Sequence, residues 1–383
     1  MTSTPHQAMT STPLPRAGAL LAMAAAAAFL GAPWVLPAQE REPPRPGAET
    51  GAIRPPAGAP IAGLEGLDHV VIGVNDLAGA IQAYRRLGFQ VADVRGALPG
   101  GPGALVDLGG GWLEFAAAPD SAGVARPYTF EGGLGMAWRV RALDAAVDSL
   151  GGRGVPFAET ASGRDATPWR FAAPDVQPVS GTSVYLVQVD DARLAELVDG
   201  VVEGSPLEGR VVEHPNGARG LAYVTIAVRS FREPSEILRE WGLDPLPDVE
   251  DPRGGRTVEV ELPRGRLFLT APSSGGGIND FLEERRAMAP PVGDRYYEGS
   301  ILSIGLAVED LDETVEFLDE HGIAHVSMDL PTGGRTEVVQ GAPGWALRLE
   351  FVEAPRGAET GPGSPGGSAG EERSGYPPPG GTR

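Results

Sequence analysis

His69-Val70-Val71-Ile72-Gly73-Val74-Asn75-Asp76-Leu77 decides the fold. The run from His69 to Val74 reads as a short, largely buried strand. Asp76 follows where a helix N-cap is wanted, because its carboxylate accepts from free N–H groups of the first turn. Leu77, Ile81 and Tyr84 then recur at 0, +4 and +7, the apolar stripe of an amphipathic helix. Gly88 closes that helix as a left-handed cap, and Phe89 resumes the apolar pattern.

The same register occurs three more times. Leu143, Val147 and Leu150 lead to Gly154 and Val155. Phe231, Ser235 and Leu238 lead to Gly242 and Leu243. Asp310 caps Leu311, Val315 and Leu318, which lead to Gly322 and Ile323. A glycine stands at +11 from every anchor and an apolar residue at +12. The anchors are 66, 88 and 80 residues apart, so this is an internal repeat. Period-2 strands follow each helix. They include Ala104–Leu108, Trp112–Phe115, Ser183–Val187, Thr257–Leu262, Arg266–Leu269, Glu337–Val339 and Ala346–Phe351. Each unit reads β-α-β-β-β. One unit leaves a sheet face bare, so units must pair to bury it. The expected fold is α+β, with four βαβββ modules pairing into two domains. Modules one and two span 63–198, a connection spans 199–219, and modules three and four span 220–353.

Composition narrows the chemistry. The chain has 383 residues, with 31 Lys plus Arg against 51 Asp plus Glu, a net charge of −20. Such an acidic chain is ill suited to gripping phosphate backbones, so no nucleic-acid partner is expected. There is no cysteine, which removes disulfides, thiolate metal sites and cysteine nucleophiles. There is no lysine, which removes Schiff-base chemistry and a P-loop lysine. Five histidines remain: His6, His69, His214, His321 and His325.

The ends read differently from the repeats. Arg16 precedes an uncharged, Ala-rich run from Ala17 to Ala38, so 1–38 reads as a signal peptide with a cut after Ala38, or as an uncleaved anchor. Export is therefore expected, with membrane contact only through this segment. Residues 39–62 form a Pro-rich linker. In 354–383, 15 of 30 residues are Gly or Pro, the composition of a disordered tail. Gly366-Gly367-Ser368-Ala369-Gly370 matches a nucleophile-elbow pattern, but no strand or helix surrounds it. Gly133-Leu134-Gly135 begins a dinucleotide-like pattern, but Trp138 takes the third glycine position.

Leu67-Asp68-His69-Val70-Val71-Ile72-Gly73-Val74-Asn75-Asp76-Leu77 resembles the first strand and helix start of the vicinal oxygen chelate superfamily. That superfamily includes glyoxalase I, extradiol dioxygenases and bleomycin-resistance proteins. Trp112-Leu113-Glu114-Phe115 resembles its last strand. Pro168-Trp169-Arg170-Phe171 and His214-Pro215-Asn216-Gly217-Ala218 are similar to its glyoxalase-like branch. The resemblance implies a divalent metal (Fe, Mn, Ni, Co or Zn) in the cup of two paired modules. Each module would offer a His or Gln from its first strand and a Glu from its last. The first-strand position is His69, Gly135, Tyr223 and Ser303 in the four modules. The last-strand position is Glu114, Tyr185, Leu267 and Glu350.

The expected metal ligands are thus His69, Glu114 and Glu350, which would meet only if module one paired with module four. Glu114 is the candidate catalytic base as well as a ligand. Trp138, Trp169, Arg170, Tyr185, His214 and Asn216 are candidate substrate-binding residues. Plainer alternatives stand beside these. His69 suits a hydrogen-bonded core histidine, Glu350 an ion pair with Arg348, Arg170 a solvated strand residue, and His214 to Gly217 a turn. The implied function is an exported protein binding a small organic molecule, with metal-assisted lyase, isomerase or dioxygenase chemistry if it is an enzyme. The alternative is a non-catalytic binding or sequestering protein with a degenerate metal site.

Overall fold

The structure is a computed structural model. It describes residues 60–94, 103–117, 131–157, 161–162, 168–179, 181–194, 213–252, 254–273, 277–288, 299–340 and 347–354. The expected signal segment, the tail from 355 on, most of the linker and 199–212 of the connection lie outside the described residues. No described helix is long and apolar enough to cross a membrane.

Four modules follow one another. The first runs β1 (Leu64–Val74), α1 (Leu77–Arg86), β2 (Ala92–Asp93), β3 (Ala104–Asp107) and β4 (Trp112–Ala117). The second runs β5 (Gly132–Val140), α2 (Leu143–Gly151), β6 (Ala161–Ser162), β7 (Trp169–Ala172) and β8 (Ser183–Val189). The third runs β9 (Ala218–Val228), α3 (Arg232–Glu240), β10 (Val249–Asp251), β11 (Gly255–Glu261) and β12 (Arg266–Pro272). An extra helix, α4 (Gly277–Met288), precedes the fourth. That module runs β13 (Gly299–Val308), α5 (Leu311–Glu320), β14 (His325–Asp329), β15 (Arg335–Gln340) and β16 (Arg348–Glu353).

The repeated glycine explains how each helix ends. Gly88, Gly154, Gly242 and Gly322 all take positive φ, between 63° and 86°. In each module the next residue's N–H donates back to the carbonyl five residues earlier. The four bonds are Phe89 to Tyr84, Val155 to Leu150, Leu243 to Leu238 and Ile323 to Leu318, at 2.8–3.1 Å. This is the Schellman closure, and it satisfies carbonyls a helix end leaves free.

Modules one and two form one eight-stranded sheet, ordered β2-β3-β4-β1-β5-β8-β7-β6. Modules three and four form the other, β10-β11-β12-β9-β13-β16-β15-β14. Within each sheet the two first strands meet antiparallel at the centre, β1 with β5 and β9 with β13. Module one therefore pairs with module two, and not with module four.

The helix-bearing faces of the two sheets pack on each other. Val70, Ile72, Leu113 and Phe115 of the first sheet share one buried cluster with Val224, Ile226, Leu267 and Phe351 of the second. Phe89 stacks on Phe351 at 6.4 Å, and Trp138 meets Trp241 edge to face at 5.6 Å. The opposite faces, the cups, point away from this core. The halves also exchange turns. Arg264, between β11 and β12, reaches the start of β1. Gly111, between β3 and β4, lies against Asp68 and Leu221, so an added Cβ there would sit 2.4 Å from the Asp68 carbonyl.

Candidate functional site

Strand register sets which side chains reach the first cup. β1 and β4 run parallel, with His69 beside Trp112 and Val71 beside Glu114. β5 and β8 run parallel, with Gly135 beside Ser183 and Ala137 beside Tyr185. Alternation sends Val70, Leu113, Met136 and Val184 into the core and leaves His69, Glu114 and Tyr185 on the cup face. There the His69 ring stacks on Trp112, 5.2 Å between centroids and 12° between planes.

Asp68 breaks the alternation. The β1–β5 register jumps from Leu67↔Trp138 to His69↔Ala137, so Asp68 is the extra residue of a β-bulge. The bulge brings its carboxylate to the His69 ring, with Oδ2 2.8 Å from Nδ1. A carboxylate beside Nδ1 accepts the proton there, so Nε2 carries the lone pair. That Nε2 faces Glu114 Oε2 at 3.5 Å, with both side chains only 12% and 15% exposed. Two acceptors that face each other at this distance call for a cation between them, a proton or a metal ion.

The electrostatics agree. Burial alone would lower the His69 pKa, but the hydrogen bond to Asp68 and the charges of Asp68 and Glu114 outweigh it and raise it. Burial raises the Glu114 carboxyl, His69 opposes that, and Asp68 adds to it. Burial also raises the Tyr185 phenol, against a hydrogen bond with Ser183, and Glu114 raises it further. Asp68 itself is fully buried, with Arg139 Nη1 3.6 Å from its Oδ1. Arg139 also holds Asp191 at 2.5 Å and Glu65 at 3.4 Å.

Gly135 stands where module two would place its first ligand. A Cβ there would meet the Ser183 carbonyl at 2.6 Å and the Tyr185 ring at 3.2 Å. The space is taken by Ser183 and the tyrosine. Phe171 packs edge-on against Tyr185 at 6.5 Å, and Trp169 lies two residues along β7 on the same face.

Residues 67–242 match a family model described as a glyoxalase-like domain. Among solved structures, a variant of homoprotocatechuate 2,3-dioxygenase from B. fuscum is similar over 78% of this chain and 73% of its own, at 12% identity and TM-score 0.50. Another variant of that enzyme, in complex with HPCA, is similar over the same shares at 12% identity and TM-score 0.51. A third, an extradiol ring-cleaving dioxygenase from B. fuscum, is similar over 78% of this chain and 74% of its own, at 12% identity and TM-score 0.51. No curated protein matches the chain. This chain has the vicinal oxygen chelate fold.

The positions of that fold can be followed through all four modules by register. His69↔Trp112, Gly135↔Ser183, Tyr223↔Arg266 and Ser303↔Arg348 are equivalent pairs. Two residues on, Glu114, Tyr185, Phe268 and Glu350 occupy the last-strand position. Phe268, not Leu267, is thus the module-three counterpart. Leu267 pairs with Val224 and points into the core.

Glu350 does not join His69 and Glu114, because module four belongs to the other sheet. It is buried in the second cup, where Tyr223 Oη donates to its Oε2 at 2.7 Å, and that is its ordering partner instead of Arg348. Tyr223, Phe268 and Leu330 cluster there, and the Tyr223 ring covers Gly305. Ile278 and Leu282 of α4 pack on Ala227 and Leu302 of the same sheet. The second cup is filled by the chain's own side chains. Among the described residues no group of three or more His, Asp or Glu is arranged to hold a metal ion.

Four other expected site residues lie outside the first cup. Trp138 is fully buried on the helix face, against Trp241. Arg170 points to that face too and pairs with Asp144 of α2 at 2.7 Å. His214 accepts from the Gln90 N–H at Nδ1 (3.0 Å) and donates from Nε2 to the Asp107 carbonyl (2.7 Å). Asn216 is buried and donates to the Leu87 carbonyl at 2.7 Å. These last two tie the segment before β9 to module one. Trp169, Tyr185, His69 and Glu114 remain in the first cup. Asp68, Trp112 and Arg139 join them unannounced. Only Trp112 had a legible signal, as the same-face neighbour of Glu114.

Proposed function

We propose that the first cup binds a small organic molecule through its oxygen atoms, beside a divalent metal held by His69 Nε2 and Glu114 Oε2. The facing pair of acceptors at 3.5 Å carries this reading. Metal–ligand bonds of about 2.1 Å at a tetrahedral angle separate two ligand atoms by roughly 3.4 Å, so the pair fits one ion. Asp68 supports the reading, since a carboxylate on the far nitrogen orients a ligating histidine. A bound metal would supply Lewis acidity toward a substrate oxygen. The chain's own residues do the rest. Trp112, Trp169, Phe171 and Tyr185 give flat, largely apolar walls suited to a planar ligand. Without a metal, Glu114, whose pKa is raised chiefly by burial, is the group placed to hold a proton in that same position. The dioxygenase structures of the same fold make catechols the first class to try, and α-oxo hemithioacetals the second.

The rival reading is a binding protein without catalysis. It is favoured by Gly135 and Tyr185, which replace the ligands of module two and leave a metal only two protein atoms. Metal analysis of the purified chain, compared with His69→Ala/Glu114→Ala, separates the two readings. One equivalent of transition metal, lost in the double variant, supports the first. No metal after reconstitution, with ligand binding kept, leaves the second. We also propose that residues 1–38 direct export. N-terminal sequencing of the exported protein should then begin at Gln39, or at the native start if the segment stays as an anchor.

A further inference from the structure

We propose that Arg264, in the second half of the chain, is a positioning residue for His69 in the first cup. The proposal rests on the reading of His69 and Glu114 given above. Arg264 sits in the turn between β11 and β12, far from His69 in sequence. Its carbonyl accepts from the Leu67 N–H at 2.9 Å. Its guanidinium donates back to the Leu67 carbonyl, from Nη2 at 3.0 Å and from Nε at 3.3 Å. Leu67 is the residue at which the β1–β5 register breaks, immediately before the bulged Asp68. The second half therefore holds both backbone groups of the residue that opens the bulge.

The approach is close enough to dictate its neighbours. A Cβ on Gly66 would lie 2.2 Å from the Arg264 carbonyl, and one on Gly265 would lie 2.8 Å from the Leu67 side chain. Both glycines also take positive φ, 121° and 80°. The turn is thus built to dock on the bulge.

The second half shows what the bulge does without this duty. The β9–β13 register skips Ala222, the counterpart of Asp68, between Leu221 and Tyr223. The bulge there is a property of the fold, and its extra residue carries no charge. In the first half the same bulge delivers a carboxylate to a histidine nitrogen. Holding its entrance fixes which nitrogen of His69 bears the proton and where the other one points. The second half, whose own cup is filled, serves the first cup through this contact.

The test uses the full chain with ¹⁵N-labelled histidine, with the pH raised until the His69 imidazole is neutral. In the wild type His69 should show a protonated Nδ1 and a bare Nε2. Arg264→Ala should shift His69 toward the other tautomer and weaken binding of Co(II) alone by about tenfold or more. Arg264→Lys, which keeps one donor toward Leu67, should restore part of both. Asn216→Ala is the control. It cuts a different tie between the halves, so it should lower stability and leave the His69 tautomer unchanged. An unchanged tautomer in folded Arg264→Ala, equal shifts in Arg264→Ala and Asn216→Ala, or a wild type without the Nδ1 proton would each overturn the proposal. If the wild type binds no Co(II) while Arg264→Ala still shifts the tautomer, the positioning role stands and the metal reading falls.

Discussion

Asp68 and His69 are consecutive in one strand, yet Asp68 Oδ2 lies 2.8 Å from His69 Nδ1. Alternation would put them on opposite faces. The bulge puts them on one, and the carboxylate then aims the imidazole at Glu114. Asp68→Ala should therefore weaken Co(II) binding by about 10- to 100-fold, read by titration of the visible absorption. Unchanged affinity would mean that Asp68 serves folding alone.

Trp138 and Trp169 are both tryptophans in β-strands of module two, but they face opposite sides of the sheet. Trp138→Ala should cost about 3–5 kcal/mol in urea unfolding, because it empties a core site against Trp241. Trp169→Ala should cost under about 1 kcal/mol and instead weaken binding of a planar ligand, measured by calorimetry.

Tyr223 donates to buried Glu350 in the filled cup. Tyr223→Phe removes a hydroxyl that donates to a buried carboxylate, which should cost about 1–3 kcal/mol of stability. Ligand and metal binding in the first cup should not change. A loss of metal would show that the second cup takes part in the site.

His214 gives the link between the halves a pH dependence. Burial lowers its pKa, against the hydrogen bond to the Asp107 carbonyl. Its Nδ1 accepts from Gln90, so protonation there breaks that bond. The unfolded chain takes up this proton near pH 6.5, about the ordinary imidazole value, and the folded chain resists it. Stability from His214 is then complete above about pH 6.5 and is lost as pH falls toward the folded value. Urea midpoints of the wild type should drop between neutral pH and mild acid more than those of His214→Gln.

The repeated helix-ending glycines should not be equally sensitive. A Cβ on Gly322 meets nothing within 4 Å, so Gly322→Ala should cost about 1 kcal/mol from its positive φ alone. A Cβ on Gly88 would strike the Phe317 ring at 2.6 Å, adding about 1–3 kcal/mol of overpacking. Thermal melting of the two variants should show the larger drop for Gly88→Ala.

The fold was legible because its signals are local and repeated. A cap at Asp76 or Asp310, an apolar stripe and a glycine eleven residues past the anchor are set by helix geometry alone, and they recur in register. His69 and Glu114 were legible because a polar residue inside an apolar strand is costly without a partner. Four expected binding residues lie elsewhere, for two reasons that local sequence does not carry. Trp138 and Arg170 depend on which face of a strand turns inward, and His214 and Asn216 depend on how the two sheets meet.

Tertiary structure alone decided the rest. The module pairing, which separates Glu350 from His69, is set by antiparallel contact of β1 with β5 and of β9 with β13. The role of Asp68 depends on a bulge, a change of register between two strands that neither strand carries by itself. The reach of Arg264 to Leu67 joins residues in different sheets and needs Gly66 and Gly265 at one contact. The sequence by itself determined the modules, because periodicity and caps act over a few residues. Their pairing and the orientation of the site are relations between strands distant in the chain.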